Sequence, residues 1–213
     1  MGKITAKDIH SSFWKCRDFE LSHLWQRSIF LTTFLVLSFT GYGCVTTKLF
    51  DLYLNNSLPL YLEVVNMSSF GLSIIGIMLS ILWILMGKGS KAWFERYENA
   101  ISAMETNPTY AEEDIVPIAG FSYENIEGYE KPEVVNCILS SKGGAYSPSK
   151  INIVIGQIVM FIWIVLAVVH LILLYKLSCL CFWGTLCLGG MIIAVFGKLI
   201  MNTRWVASRT INQ

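Results

Sequence analysis

The amino-acid sequence predicts an all-α polytopic membrane protein with four transmembrane helices and a small cytoplasmic segment between helices 2 and 3. Four runs without a charged residue carry this prediction, and they cover residues 28–47, 64–87, 151–175 and 177–197. Because an α-helix rises 1.5 Å per residue, about 20 apolar residues cross a hydrocarbon core of roughly 30 Å. A soluble helix of this length needs a polar face, and none of the four runs offers one.

The composition supports the same fold class. Hydrophobic residues make up 54% and charged residues only 15% of the 213 positions, and the mean hydropathy is +0.54. Soluble domains contain about 25% charged residues. Residues 1–27 are too long and polar for the first region of a signal peptide, and no small-residue cleavage site follows the first run. We therefore interpret residues 28–47 as a retained span.

The positions of the basic residues predict the orientation. Residues 1–27, 88–150 and 198–213 together hold 14 of the 16 Lys and Arg residues, which leaves Lys48 and Lys176 for the other side. Basic loops are retained in the cytoplasm. We therefore expect a multi-pass protein of the cell inner membrane, with a cytoplasmic N-terminal arm, a cytoplasmic central segment and a cytoplasmic tail.

The segments between the runs differ in character. Residues 48–63 are predicted to form an outer loop with a turn signal at residues 55–59, which read NNSLP. Residues 88–150 begin as a helical extension of the second span, because apolar residues recur at helical spacing and no breaker intervenes before Asn107. The remainder is predicted as a compact, turn-rich unit. Since it is acidic and too small for a core of its own, we expect it to pack on the basic N-terminal arm or on other subunits.

The second run contains a face of small residues. Steps of four, three and four residues place them on one side of a helix, and in lipid such residues allow helix backbones to approach closely. Two interpretations remain open, a helix-packing face within one subunit or the wall of a narrow pore. The residues of this small-residue face are Ser69, Ser73, Gly76, Ser80 and Gly87. A similar ridge in the fourth run, predicted to serve helix packing, consists of Gly190, Ala194 and Gly197.

Polar residues inside the spans are few. No carboxylate, lysine or arginine lies in any run, which counts against pumps and ion-coupled transporters. We interpret His170 as a hydrogen-bonded or interfacial histidine, with a gate or a pH sensor as the alternative. Asn152 and Gln157 are expected to form hydrogen bonds across helices. Cys44 is expected to pack as an apolar side chain, with a disulfide to Cys179 as the alternative.

The sequence predicts no enzyme. The three histidines are scattered and no carboxylate accompanies any of them at catalytic spacing. The cysteines lack the spacing and the histidine companions of a zinc site. We therefore expect no catalytic residue, no metal, no cofactor and no nucleic-acid partner. The expected partners are the lipid bilayer, further copies of the chain and a cytoplasmic protein.

The second span ends in a membrane–cytoplasm junction in which aromatic and basic residues alternate. Residues 83–98 read WILMGKGSKAWFERYE, and the entry to the third span, residues 144–153, reads GAYSPSKINI. Aromatic and basic side chains favour the membrane interface, and Lys91 can pair with Glu95 four residues later. The residues that define the junction are Trp83, Lys88, Lys91, Trp93, Glu95, Arg96, Tyr97 and Glu98.

These two junctions, with a soluble segment between them, resemble bacterial inner-membrane proteins of the RipA family over roughly residues 65–165. The resemblance implies an octameric membrane protein, and therefore a ring-like homo-oligomer. It implies no catalytic residues. Two hypotheses of function follow. The oligomer acts as a membrane scaffold or interaction platform through its cytoplasmic face; alternatively, it forms a channel or pore, such as a defence effector, lined by the small-residue face of the second span.

Overall fold

The computed structural model describes residues 5–55, 58–107, 109 and 147–201, and within these residues the regular structure is helical. Four helices are present: α1 (Ala6–Leu54), α2 (Pro59–Thr106), α3 (Pro148–Leu177) and α4 (Cys179–Met201). Each contains a stretch long and apolar enough to cross a membrane. The predicted all-α fold with four membrane-spanning helices is therefore confirmed. The predicted turn-rich unit falls on residues 110–146, which lie outside the described residues. Of the predicted cytoplasmic tail, residues 198–201 continue α4 and residues 202–213 lie outside the described residues.

The first helix begins well before the first uncharged run, at a reciprocal cap. The backbone N–H of Asp8 donates to Thr5 Oγ at 3.2 Å, and the backbone N–H of Thr5 donates to Asp8 Oδ2 at 3.0 Å. These bonds satisfy N–H groups that have no partner inside the helix. The bond from the Thr5 backbone N–H, together with one that the Thr5 hydroxyl donates to Asp8 Oδ2 at 2.8 Å, lowers the pKa of Asp8, because both favour the ionised carboxylate. The N-terminal arm is therefore helical from Ala6 onward.

The connection between α1 and α2 is shorter than the predicted outer loop. Residues 48–54 form the last turns of α1, and residues 59–63 form the first turn of α2. The helices end and begin at the turn signal, with Pro59 as the first residue of α2, where its missing N–H costs nothing. The apolar residues of the predicted loop continue the two helices because no breaker separates them from the spans.

Ser178 alone separates α3 from α4. Its backbone N–H donates to the Leu174 carbonyl at 2.8 Å, and its own carbonyl accepts from the backbone N–H of Phe182 at 3.0 Å. One residue thus ends α3 and begins α4. Because Lys176 alone separates the third and fourth runs, the sequence predicts a tight hairpin with its turn at that residue. The structure has the tight connection, but places it two residues later, at Ser178.

The chain folds as two compact units. The arm unit takes its described residues from Met1–Gln26 and Gly87–Ile151, and the spanning unit takes its described residues from Arg27–Met86 and Asn152–Gln213. The core of the spanning unit is a cluster of buried apolar side chains from α2 and α3, namely Phe70, Ile74, Ile77, Trp163 and Ala167. Large apolar side chains cover its outside as well, for example Phe161 at 65% exposure. Such a surface is stable against lipid and not against water.

Candidate functional site

Four of the five residues of the small-residue face of α2 are buried within the spanning unit, and these are Ser69, Ser73, Gly76 and Ser80. Ser69, Ser73 and Ser80 each have 0% exposure, and Gly76 lies against the indole ring of Trp163 on α3. A Cβ atom placed on Gly76 would lie 2.2 Å from Trp163 Cδ2 and Cε2, a distance that no packed carbon tolerates. The glycine is therefore required for α2 and α3 to approach this closely.

The three serine hydroxyls of this face donate hydrogen bonds within α2 itself. Ser73 Oγ donates to the Ser69 carbonyl at 2.9 Å, and Ser80 Oγ donates to the Gly76 carbonyl at 2.8 Å. Ser69 Oγ donates to the carbonyl four residues earlier at 3.1 Å. The donors are thus satisfied without water. Gly87, the last residue of the predicted face, is also buried and belongs to the arm unit.

Aromatic side chains of α1 complete the packing around Trp163. The Phe39 ring stacks on the indole, with ring centroids 4.2 Å apart and an angle of 21° between the planes. The Tyr42 ring meets the same indole edge-on at 5.6 Å. Such aromatic pairs contribute about 0.5–1.5 kcal/mol beyond their buried area. Trp163 therefore joins α1, α2 and α3 into one core.

A polar network lies next to this aromatic cluster. Tyr42 Oη lies 2.9 Å from His170 Nε2, and the Asn66 side-chain N–H donates to the His170 carbonyl at 3.0 Å. The other ring nitrogen of His170, Nδ1, is hydrogen-bonded to Asn66 Oδ1. Since that amide oxygen only accepts, Nδ1 carries the proton and Nε2 of a neutral ring accepts from the Tyr42 hydroxyl. His170 is thus a buried, hydrogen-bonded histidine, with 2% exposure.

A second polar network joins the same three helices near residue 152. The Asn152 side-chain N–H donates to Ser28 Oγ at 2.9 Å, and Trp83 Nε1 donates to Asn152 Oδ1 at 3.0 Å. Asn152 therefore forms the interhelical bonds expected from the sequence. Gln157, for which the same was expected, has an exposed side chain. A polar side chain in an apolar run thus does not by itself identify which face is buried.

An ion pair and a hydrogen bond hold α1 to α2 in the arm unit. Arg17 Nε donates to Glu98 Oε1 at 3.1 Å, and His10 Nε2 lies 3.0 Å from Glu105 Oε1. The Glu105 side chain is fully buried and that of His10 is 9% exposed. Between the pairs lies Ile101, with 0% exposure. These contacts join the N-terminal arm to the helical extension of α2. The expected packing of the acidic, turn-rich unit on the arm falls outside the described residues and stays a prediction.

The junction residues of α2 form a row of aromatic and charged contacts. Lys91 and Glu95 form the predicted ion pair four residues apart. The rings of Trp93 and Tyr97 stack at 5.9 Å, and the Arg96 guanidinium lies 5.7 Å from the Trp93 ring centroid. Burial raises the pKa of Tyr97, so its phenol stays neutral at physiological pH. Trp83 belongs to the spanning unit, Glu98 pairs with α1, and the Lys88 side chain is exposed.

Replacing Glu105 by alanine is expected to loosen the arm unit locally. His10 would lose its buried acceptor, and an unsatisfied buried donor costs about 1–3 kcal/mol. We expect faster hydrogen exchange in residues 6–12 and 98–106, measured by mass spectrometry on the intact protein. The matched control is Glu95→Ala, because the Lys91–Glu95 pair is exposed and such pairs contribute only about 0.2–0.5 kcal/mol. Equal exchange in both variants would contradict a stabilising role for the buried pair.

The chain matches a known protein family. The model of the octameric membrane protein family (8xMP) matches residues 7–172, which is most of the chain. The chain belongs to the octameric membrane protein family. It is accordingly a multi-pass membrane protein that assembles as a homo-oligomer. This confirms what the resemblance in the sequence implied about its assembly. No curated protein and no solved structure matches the chain.

The ridge predicted in α4 does not pack within the single chain, although the octameric membrane protein family assembles from several copies. A Cβ atom on Gly190 would meet nothing within 4 Å, and Ala194 is exposed. The glycine of α4 that does pack within the chain is Gly189, where a Cβ atom would lie 2.8 Å from the Phe70 ring. The ridge of Gly190, Ala194 and Gly197 therefore faces away from the core of the single chain, and a packing role for it would require another subunit or lipid.

Sequence reasoning missed two residues of this octameric membrane protein family member. Asn66 lies three residues before Ser69 and so shares the small-residue face, but the predicted face begins only at Ser69. Tyr42 carried no signal, because a tyrosine in an apolar run reads as a packing residue. Cys44 is a free, exposed thiol, so the disulfide alternative is not formed. The side chain of Cys179 lies outside the described part of the chain.

Proposed function

We propose that this homo-oligomer is a scaffold or interaction platform of the inner membrane, with the arm unit and both termini in the cytoplasm. The observation that supports it is the ordered arm unit, in which α1 and α2 are joined by the Arg17–Glu98 and His10–Glu105 pairs around a buried Ile101. Repeated in every subunit, this unit offers a surface to which a protein partner can bind. The proposal assigns no catalytic step and no cofactor to the chain.

The experiment removes most of the segment between α2 and α3 and keeps the four helices. Residues 107–141 are replaced by a Gly-Ser linker of equal length, so that α2 and α3 remain connected. Partners are captured by cross-linking in cells and quantified against the wild type, and the subunit number is measured by native mass spectrometry. We expect loss of the captured proteins with the oligomer intact. A variant that lacks residues 202–213 is the control for a general effect of truncation, and unchanged capture by the linker variant would contradict the proposal.

The channel alternative receives less support from the contacts of α2. The face that would line the pore packs against Trp163 of the same chain, and its serine hydroxyls donate to their own helix. A pore lined by these serines would need α2 to rotate or to separate from α3. Hydroxyl-lined pores exist, so accessibility measurements must decide between the two functions.

Single cysteines on α2 test this directly. We expect cysteines at Ser73 and Ser80, both with 0% exposure, to be protected from small aqueous thiol reagents in the assembled protein. Ile75 is 50% exposed in the single chain, so it lies on the face toward lipid or a neighbouring subunit. A cysteine at Ile75 is therefore the matched control. The native cysteines are first replaced by alanine. Rapid labelling at Ser73 and Ser80, with Ile75 protected, would favour the channel over the scaffold.

A further inference from the structure

A cleft opens between three helices of the spanning unit. Its volume is about 580 Å³, and α1, α2 and α3 each contribute a wall. The α1 wall includes Phe50 and Tyr53, the α2 wall includes Leu62, and the α3 wall includes Leu173. Pockets that bind small molecules are typically about 300–1,000 Å³, mostly apolar, with a few polar groups. The cleft has the size and the character of a ligand site.

The position of the cleft indicates the class of ligand. It lies where α1 and α3 end and α2 begins, at the residues nearest the predicted outer interface. Its one charged lining residue is Lys176, in the last turn of α3, whose side chain is exposed. Among the described residues, no acidic side chain forms an ion pair with Lys176. A basic residue at the rim of an apolar cleft complements a molecule with an anionic head and a hydrocarbon body.

We propose that this cleft binds an anionic phospholipid, with its phosphate at Lys176 and an acyl chain along the apolar walls. Aromatic side chains such as Tyr53, which is 70% exposed, favour the headgroup level of a bilayer. The helix ends place Tyr53 and Lys176 on the same cleft, so the aromatic ring and the ammonium flank one headgroup. The site is independent of the scaffold function proposed above, since it lies in the spanning unit.

The test is native mass spectrometry of the intact oligomer released from mixed micelles that contain phosphatidylglycerol and phosphatidylcholine in equal amounts. We expect the wild type to retain phosphatidylglycerol preferentially. In Lys176→Gln, the ratio of retained phosphatidylglycerol to phosphatidylcholine should fall about fivefold, which is the effect of one basic residue near a lipid surface. Lys48→Gln is the matched control, because Lys48 lines a different cleft near the same helix ends. It should keep the wild-type preference.

A second variant tests the apolar walls without changing charge. Leu173→Trp fills the cleft from its partly exposed α3 wall and should reduce retention of both lipids. Three results would overturn the proposal: an unchanged preference in Lys176→Gln, an equal loss in Lys48→Gln, or side chains of a second copy occupying the cleft in a structure of the oligomer. Native mass spectrometry measures the mass of the intact oligomer, so it reveals a variant that fails to assemble. If either Lys176→Gln or Leu173→Trp fails to assemble, the other variant still tests the proposal.

Discussion

Replacing Gly76 by alanine is expected to destabilise the spanning unit by about 1–3 kcal/mol, the cost of inserting an atom into a well-packed core. The new Cβ atom would lie 2.2 Å from Cδ2 and Cε2 of the Trp163 indole. That ring is itself confined by Phe39 and Tyr42, so it has little room to move. The helices must then separate, and contacts along the small-residue face are lost with them.

The measurement is the thermal stability of the oligomer in detergent, followed by size-exclusion chromatography after heating. Gly71→Ala is the matched control, because it lies in the same helix and a Cβ atom there would meet nothing within 4 Å. We expect Gly71→Ala to behave as wild type, or slightly better since alanine favours helix. If the Gly76→Ala and Gly71→Ala oligomers unfolded at the same temperature, the close approach of α2 to α3 would not be the contact that stabilises the spanning unit.

Replacing His170 by leucine is expected to have the second large effect. The substitution removes the acceptor of the Tyr42 hydroxyl and the donor to Asn66 Oδ1, and both groups lie inside the membrane-spanning unit. A buried polar group without a partner costs about 1–3 kcal/mol. Single interhelical hydrogen bonds in a membrane average only about 0.6 kcal/mol, because the unfolded chain also finds partners. We therefore expect a loss of about 2 kcal/mol, since two groups are affected at once.

A double-mutant cycle with Tyr42→Phe separates the hydrogen bond from the packing of the histidine. Unfolding is followed by titration with a denaturing detergent, and the coupling free energy between Tyr42 and His170 should be about 1 kcal/mol. Gln157→Leu serves as control, since its side chain is exposed and its replacement in lipid is expected to be neutral or stabilising. Additive effects of Tyr42→Phe and His170→Leu would show that the network is not a unit.

Part of the candidate site follows from residue pattern. The regular spacing of Ser69, Ser73, Gly76 and Ser80 predicts one face of a helix, and the structure places all four in the interior. The pairing of Lys91 with Glu95 follows from their separation of four residues. Both features are local, because a helix alone brings these residues together.

Other parts depend on contacts between distant segments. The partner of Gly76 is Trp163, the partners of His170 are Tyr42 and Asn66, and nothing in the spacing of the sequence links these positions. For the same reason, sequence spacing could not identify which glycine of α4 packs within the chain. Gly189 and Gly190 are neighbours with equal steric freedom, and only the position of Phe70 makes Gly189 the packed residue.

The amino-acid sequence by itself determined that the chain has four helices able to cross a membrane, because a spanning helix needs only about 20 consecutive apolar residues, which composition and length reveal. It also carried enough pattern to place the chain among octameric membrane proteins. Only the tertiary structure decided which face of each helix is interior, where Trp163 and the His170 network lie, and where a cleft remains open. Those features depend on contacts between side chains far apart in the sequence, such as Tyr42 and His170, which are 128 residues apart.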